Sequence, residues 1–305
     1  MTEAYTQLCG LGTALITPFR ADGSIDDEAL RRLLDRQIAA GADYLVVLGT
    51  TGEAATLTRT EKIHVITTVT DYVRGRLPLV LGLGGNNTAA VVEELAELTP
   101  VLKAHFSAIL SVCPYYNKPS QEGLFRHFKA VAEASPVPVI LYNVPGRTGV
   151  NMLPETVIRL REAVPERIIA IKEASGDTAQ IRRLISMAEA GKANTAGQRM
   201  LVISGDDGIT AELMDAGADG LISVAANAFP DVFRRIVHCH DHSLQQEYAS
   251  MVRLLFAEGN PAGIKTVLAL QGAVENILRL PLVANSEKVQ EEIKLQLKHL
   301  ENPGK

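Results

Sequence analysis

A lysine interrupts an apolar run at residues 168–177, IIAIKEASGD. Lys172 follows four apolar residues and precedes a small polar tail, the pattern of a buried strand ending in charge, and lysine is rarely buried without a partner. Side chains alternate along a strand, so Lys172 shares a face with Ile168 and Ala170 while Ile169, Ile171 and Glu173 point the other way. On the inner face of a barrel the ammonium is desolvated, its pKa falls, and the free amine can attack a carbonyl. The competing reading is a strand-end lysine paired with an acid; Glu173 is adjacent but faces away, which weakens it. Tyr142 lies 30 residues earlier, where a phenol can pass protons during carbinolamine formation. A core tyrosine with a bonded hydroxyl fits the same position. Arg147, in a Pro-Gly loop, can grip a carboxylate with two parallel hydrogen bonds, or be merely solvated. Thr50 and Thr51, within GTTGE (49–53), offer hydroxyls and turn N–H groups to an anion, or form a plain strand-to-helix turn.

Other reactive groups point less clearly to chemistry. HCHDH (238–242) suggests a metal superficially, but on a helix only His238 and His242 share a face and no third ligand is identifiable. His64, His105, His127 and His299 fall in helical segments and are expected at the surface. Asp206 and Asp207 are expected to cap the following helix, with a catalytic carboxylate pair as the alternative. GLGGNN (82–87) has three glycines without the G-x-G-x-x-G order, so tight turns are expected there rather than a nucleotide site.

These residues need elements to hold them, and the chain has a regular beat. Apolar runs recur at 14–19, 44–49, 78–84, 108–115, 138–145, 168–175, 201–206 and 220–227. Near-continuous apolar strands are expected where both faces of a parallel sheet are covered. Segments with helical spacing lie between them, such as 24–40 and 58–73, with Ser24 and Thr58 as expected N-caps and Gly41 as a stop. Eight strands alternating with helices predict an α/β fold, a (β/α)8 TIM barrel, rather than a doubly wound open sheet. Residues 1–227 would form the barrel and 228–305 a C-terminal helical extension, including helices near 244–257 and 261–278, with a frayed ENPGK tail. In such barrels catalytic groups sit at the C-terminal ends of the strands and in the loops that follow. GTTGE, PYYNKP (114–119), YNVPGRTG (142–149), Lys172 and SGDD (204–207) all fall there.

Composition sets the outer bounds. The chain has 305 residues, 47% hydrophobic and 21% charged, ordinary for a globular protein with a large core. A net charge of -5 argues against nucleic-acid or anionic-membrane partners. The start, MTEAYTQLCGLGTALITPF, lacks a basic region and a long apolar one, so no signal peptide is expected. No apolar run approaches about 18 residues. Cys9, Cys113 and Cys239 are irregularly spaced and predict neither a disulfide framework nor a metal pair. A cytoplasmic protein is expected.

GTTGE, PYYNKP, YNVPGRTG, IKEASGD (171–177), SGDD and GLISVAAN (220–227), with NPAGIK (260–265) further on, together resemble the class I aldolase-like family typified by dihydrodipicolinate synthase. The resemblance covers nearly the whole chain. It implies that Lys172 forms a Schiff base with pyruvate, and that Tyr142, Thr50 and Tyr116 form a hydroxyl relay, Tyr116 coming from a neighbouring subunit. Thr51 would bond the pyruvate carboxylate and Arg147 the carboxylate of L-aspartate 4-semialdehyde. The backbone at Gly205 and Ile222 would line the pyruvate pocket. No metal or organic cofactor is implied, because the lysine is itself the electron sink, and a homotetramer built from two tight dimers is implied. Related N-acetylneuraminate lyases and 2-keto-3-deoxy sugar acid aldolases share the lysine and tyrosine. Arg147, the Thr50–Thr51 pair and Tyr115–Tyr116 favour the synthase. At the positions that the resemblance matches to the effector site of lysine-inhibited members this chain has Ala54, Arg59, Lys62, Asn86, Ala90 and Tyr115. Two of these are cations and Ala90 stands in place of an acid, so weak or absent inhibition by lysine is expected.

Overall fold

The computed structural model describes residues 6–191 and 198–301. All of the expected ENPGK tail except its first residue lies outside them. Eight strands close in chain order into one parallel barrel: β1 (Gly10–Ala14), β2 (Tyr44–Val47), β3 (Leu79–Gly82), β4 (Ala108–Val112), β5 (Val139–Asn143), β6 (Ile168–Glu173), β7 (Leu201–Ser204) and β8 (Gly220–Ser223). Seven of these fall inside the apolar runs, trimmed at the ends where the chain turns into the next loop. The eighth run ends as a strand at Ser223, and its remainder forms a short 3-10 turn at Ala225–Asn227.

The first strand is a correction. The run ALITPF was expected to form it, but β1 is the glycine-rich GLGTA just before. Glycine is disfavoured in strands by propensity alone, yet here packing demands it. A Cβ on Gly12 would lie 2.2 Å from the Tyr44 ring, the residue that Gly12 pairs with on β2. The ALITPF backbone is diverted instead, because Ile16 N–H donates to Asn227 Oδ1 (3.1 Å) while Asn227 Nδ2 donates to the Ala14 carbonyl (2.8 Å).

The chain falls into two compact units. One comprises residues 1–10, 78–206 and 212–222; the other comprises 11–77, 207–211 and 223–305. Within the first, neighbouring strands are in parallel register, and β5 meets β6 with Tyr142 opposite Lys172 and Asn143 opposite Glu173. Helices Thr88–His105, Gln121–Ala134 and Pro154–Ala163 pack in succession. The second unit holds β1 from Leu11 onward, β2, the helices Asp27–Ala40 and Arg59–Val73, and the helices that follow β8.

Helix ends follow side-chain chemistry. Thr58 caps Arg59–Val73 in a reciprocal capping box with Glu61, and Asp27–Ala40 stops at left-handed Gly41. Its N-cap is Asp26 rather than Ser24, whose hydroxyl is turned to Asp22 (2.6 Å). After β8 the helices are Pro230–Cys239, His242–Phe256, Ala262–Leu270 and Glu287–Glu301. The segment expected to stay helical to 278 stops at Leu270. No helix among the described residues is long and apolar enough to cross a membrane.

Candidate active site

At the end of β6, Lys172 is 6% exposed, and so is Tyr142 at the end of β5. Paired parallel strands present opposed residues to one face, and here Lys172 Nζ lies 4.5 Å from the Tyr142 ring centroid. An amine and a phenol in a nearly dry setting are thus in contact at the C-terminal ends of adjacent strands. Gly205 keeps space for the lysine. A Cβ there would sit 3.0 Å from Lys172 Cε and 2.6 Å from Ala174 Cβ. Its N–H donates to the Glu173 carbonyl at 2.8 Å, tying the loop after β7 to β6. Ile222 is buried on β8.

Glu173 lies on the other face, as alternation requires. Its carboxylate accepts from Asn143 Nδ2 (2.9 Å), Ser175 N–H (2.8 Å) and Gln180 Nε2 (3.3 Å). Burial nevertheless raises its pKa, and these hydrogen bonds act against the rise. Burial, with Glu173 nearby, also pushes the Cys113 thiol well above its ordinary range. The acid beside Lys172 in sequence is therefore spent on a separate amide network that braces β5 against β6.

Tyr116 and Arg147 sit on two joined loops. The Tyr116 N–H donates to the Thr148 carbonyl (3.3 Å), and Arg147 is exposed in the short helix Pro145–Thr148. Tyr116 is 89% exposed with φ of 73°. Left-handed backbone costs energy at a non-glycine residue, and this one is held by its surroundings: Asn86 Nδ2 donates to the Tyr115 carbonyl (3.1 Å) and Asn117 Nδ2 to the Asn86 carbonyl (3.0 Å).

In the second unit, GTTGE forms a 3-10 turn at Thr50–Gly52 directly after β2, with Thr50 exposed and Thr51 buried. Glu53 ends it in left-handed backbone, and its carboxylate makes a fully buried ion pair with Lys265. Glu53 Oε2 accepts from the Arg279 N–H (3.1 Å), and Lys265 also donates to the Ile277 carbonyl (2.8 Å). Burial pushes the Lys265 ammonium down to about 8, with Glu53 acting the other way. Asn260 Nδ2 donates to Thr51 Oγ1 at 2.9 Å. Asn260, Lys265 and Glu53 escaped the residue-by-residue reading, although NPAGIK and GTTGE contain them; nothing in the spacing announces a pairing across more than two hundred residues.

The remaining candidates take structural places. Asp207 bonds the Ser223 hydroxyl and the N–H groups of Val224 (3.1 Å) and Ala225 (3.3 Å), and these bonds hold the turn after β8. In HCHDH, His238 contacts Asp43 (2.7 Å), and Asp241 caps the helix His242–Phe256 through the Leu244 N–H. Among the described residues no group of three His, Cys, Asp or Glu is placed to hold a metal ion. His127, expected at the surface, is buried at 5% exposure, its Nδ1 bonded to the Thr88 hydroxyl (2.8 Å) and its ring edge-on to Phe128.

Residues 7–300 match the model of the dihydrodipicolinate synthetase family. A protein of Parabacteroides distasonis named 4-hydroxy-tetrahydrodipicolinate synthase is 49% identical over 304 residues, covering 97% of this chain and 98% of that one. The crystal structure of dihydrodipicolinate synthase from Thermotoga maritima superposes with a TM-score of 0.90 at 36% identity, over 96% of this chain and 98% of the other. A structure described as the first monomeric dihydrodipicolinate synthase variant gives 0.89 at 36% identity, over 96% and 97%.

Proposed function

The chain belongs to the dihydrodipicolinate synthetase family, and from that premise we propose that it is a lyase condensing pyruvate with L-aspartate 4-semialdehyde to 4-hydroxy-tetrahydrodipicolinate. The names of the curated relatives favour this reaction over the sugar-acid lyases. The observation that carries the reading is the buried Lys172–Tyr142 contact at the ends of two paired strands.

In the proposed reaction Lys172 Nζ, as the free amine, adds to the pyruvate carbonyl carbon, and loss of water from the carbinolamine leaves an imine. The imine draws electrons from the methyl carbon, which gives up a proton to form the enamine. That carbon attacks the aldehyde, whose oxygen takes up a proton. The substrate's amino group then adds to the imine carbon, closing the ring and freeing Lys172. Tyr142 is assigned to move protons at the lysine, and Thr50 and Tyr116 to the same relay. Thr51 takes the pyruvate carboxylate, with the backbone at Gly205 and Ile222 lining that end, and Arg147 takes the carboxylate of the second substrate. The extreme exposure of Tyr116 supports a second copy of the chain as the partner that uses it, within a tetramer of two tight dimers. The cytoplasm is the proposed compartment, in keeping with cysteines that form no disulfide among the described residues.

Borohydride reduction after incubation with pyruvate tests the central step. The expected product is a single reduced adduct located on Lys172 by peptide mass spectrometry; an unmodified Lys172 peptide would sink the Schiff-base mechanism.

A further inference from the structure

We infer that Asn260 is a positioning residue that sets the hydrogen-bond polarity of Thr51, leaving its hydroxyl to donate to a substrate carboxylate. The inference deepens the role proposed for Thr51 and rests on that reading. Thr51 is 3% exposed and Asn260 6%, and the amide nitrogen of Asn260 lies 2.9 Å from Thr51 Oγ1. A hydroxyl has one hydrogen to give and two lone pairs, whereas an amide nitrogen can only donate. With Asn260 donating, Thr51 Oγ1 is an acceptor in that contact, and its own hydrogen must point elsewhere.

The turn carrying Thr51 has little other freedom. Thr17 Oγ1 donates to the Gly52 carbonyl (2.7 Å), Gly52 and Glu53 N–H groups donate back to Gly49 (3.0 Å) and Thr50 (3.1 Å), and Glu53 is locked by its buried pair with Lys265. Rotation of the hydroxyl hydrogen is what remains adjustable at Thr51, and Asn260 is the side chain that biases it. Asn260 and Lys265 belong to one short segment, so the same stretch of chain fixes both the backbone of the turn and the direction of its hydroxyl. A ligand with an acceptor at this position, such as the carboxylate of a 2-oxo acid, is favoured over one presenting a donor.

Asn260→Asp tests this with almost no change in shape. A carboxylate can only accept, so it turns the Thr51 hydrogen toward itself and presents the substrate with an acceptor. Loss of a hydrogen bond to a charged group predicts a rise of roughly ten- to hundredfold in the pyruvate concentration giving half-maximal trapped Lys172 adduct. kcat at saturating pyruvate should change much less. Acidification should narrow the gap between variant and parent, because the introduced carboxyl, once protonated, can donate as the amide does. Asn260→Ala removes the bias without reversing it and should give a smaller rise. In a Thr51→Val background Asn260→Asp should add nothing further. If Asn260→Asp leaves pyruvate half-saturation within about twofold of the parent while the adduct still forms on Lys172, the inference is overturned and the Schiff-base reading stands. If the parent forms no adduct on Lys172, that reading fails and takes this inference with it. An equal fall in binding and kcat that acidification does not relieve would make Asn260 merely structural.

Discussion

Arg147 illustrates what one side chain is asked to do. It is an exposed residue of a four-residue helix whose last residue, Thr148, is tied to the Tyr116 loop. Charge-assisted bonds to a carboxylate contribute about 1.5–3 kcal/mol, so Arg147→Ala should raise the KM for the semialdehyde by roughly tenfold or more. The pyruvate adduct on Lys172 should form nearly as before. Steady-state kinetics beside borohydride trapping separates the two effects, and equal damage to both would count against the assignment. The burial of Lys172 was legible from alternation, because a side chain on the same face as Ile168 and Ala170 has to be buried if they are. The role of Glu173 was legible only in part: its direction followed from the pleat, but its partners Asn143, Ser175 and Gln180 did not.

Among the elements, the contact of helix Gln121–Ala134 with the start of Thr88–His105 carries a pH dependence. Burial of His127 between them depresses its pKa from 6.5 to about 4. Because the folded pKa lies below the unfolded one, the unfolded chain takes up the proton first on acidification. The contribution of the neutral imidazole is therefore present above about pH 6.5 and is lost as pH falls toward about 4. At about pH 5 the loss amounts to about 2 kcal/mol. His127→Gln should remove that increment, so the fall in urea-unfolding stability between about pH 7 and about pH 5 should be smaller in the variant. An unchanged fall would show that His127 does not set it. The burial itself was not readable, since one histidine at helical spacing fits either face. β1 was misplaced for a related reason: propensity argues against Gly10 and Gly12, and only the Tyr44 ring shows why nothing larger fits at Gly12.

At the scale of the whole molecule, the exposed Tyr116 makes assembly part of the proposed chemistry. If the phenol serves a neighbour, Lys172→Ala and Tyr116→Phe are each impaired, yet a mixed dimer holds one complete site. Random exchange of the two variants should restore about a quarter of parental activity, as two-fold symmetry requires. Activity that stays at the sum of the two separate variants would show that Tyr116 acts within its own chain. The fold alone does not decide the assembly, since a monomeric variant superposes at a TM-score of 0.89.

Local pattern carried the repeating strands, the turn caps at Thr58 and Gly41, and the lysine–tyrosine pair one unit apart, because each depends on residues close in sequence or on a fixed period. Tertiary structure alone decided that GLGTA rather than ALITPF enters the barrel, that Glu53 is neutralised by Lys265, and that Asn260 meets Thr51. Those outcomes depend on which distant side chains are pressed together when water is excluded, and a buried charge or hydroxyl takes its partner from whatever lies across that contact rather than from its neighbours along the chain.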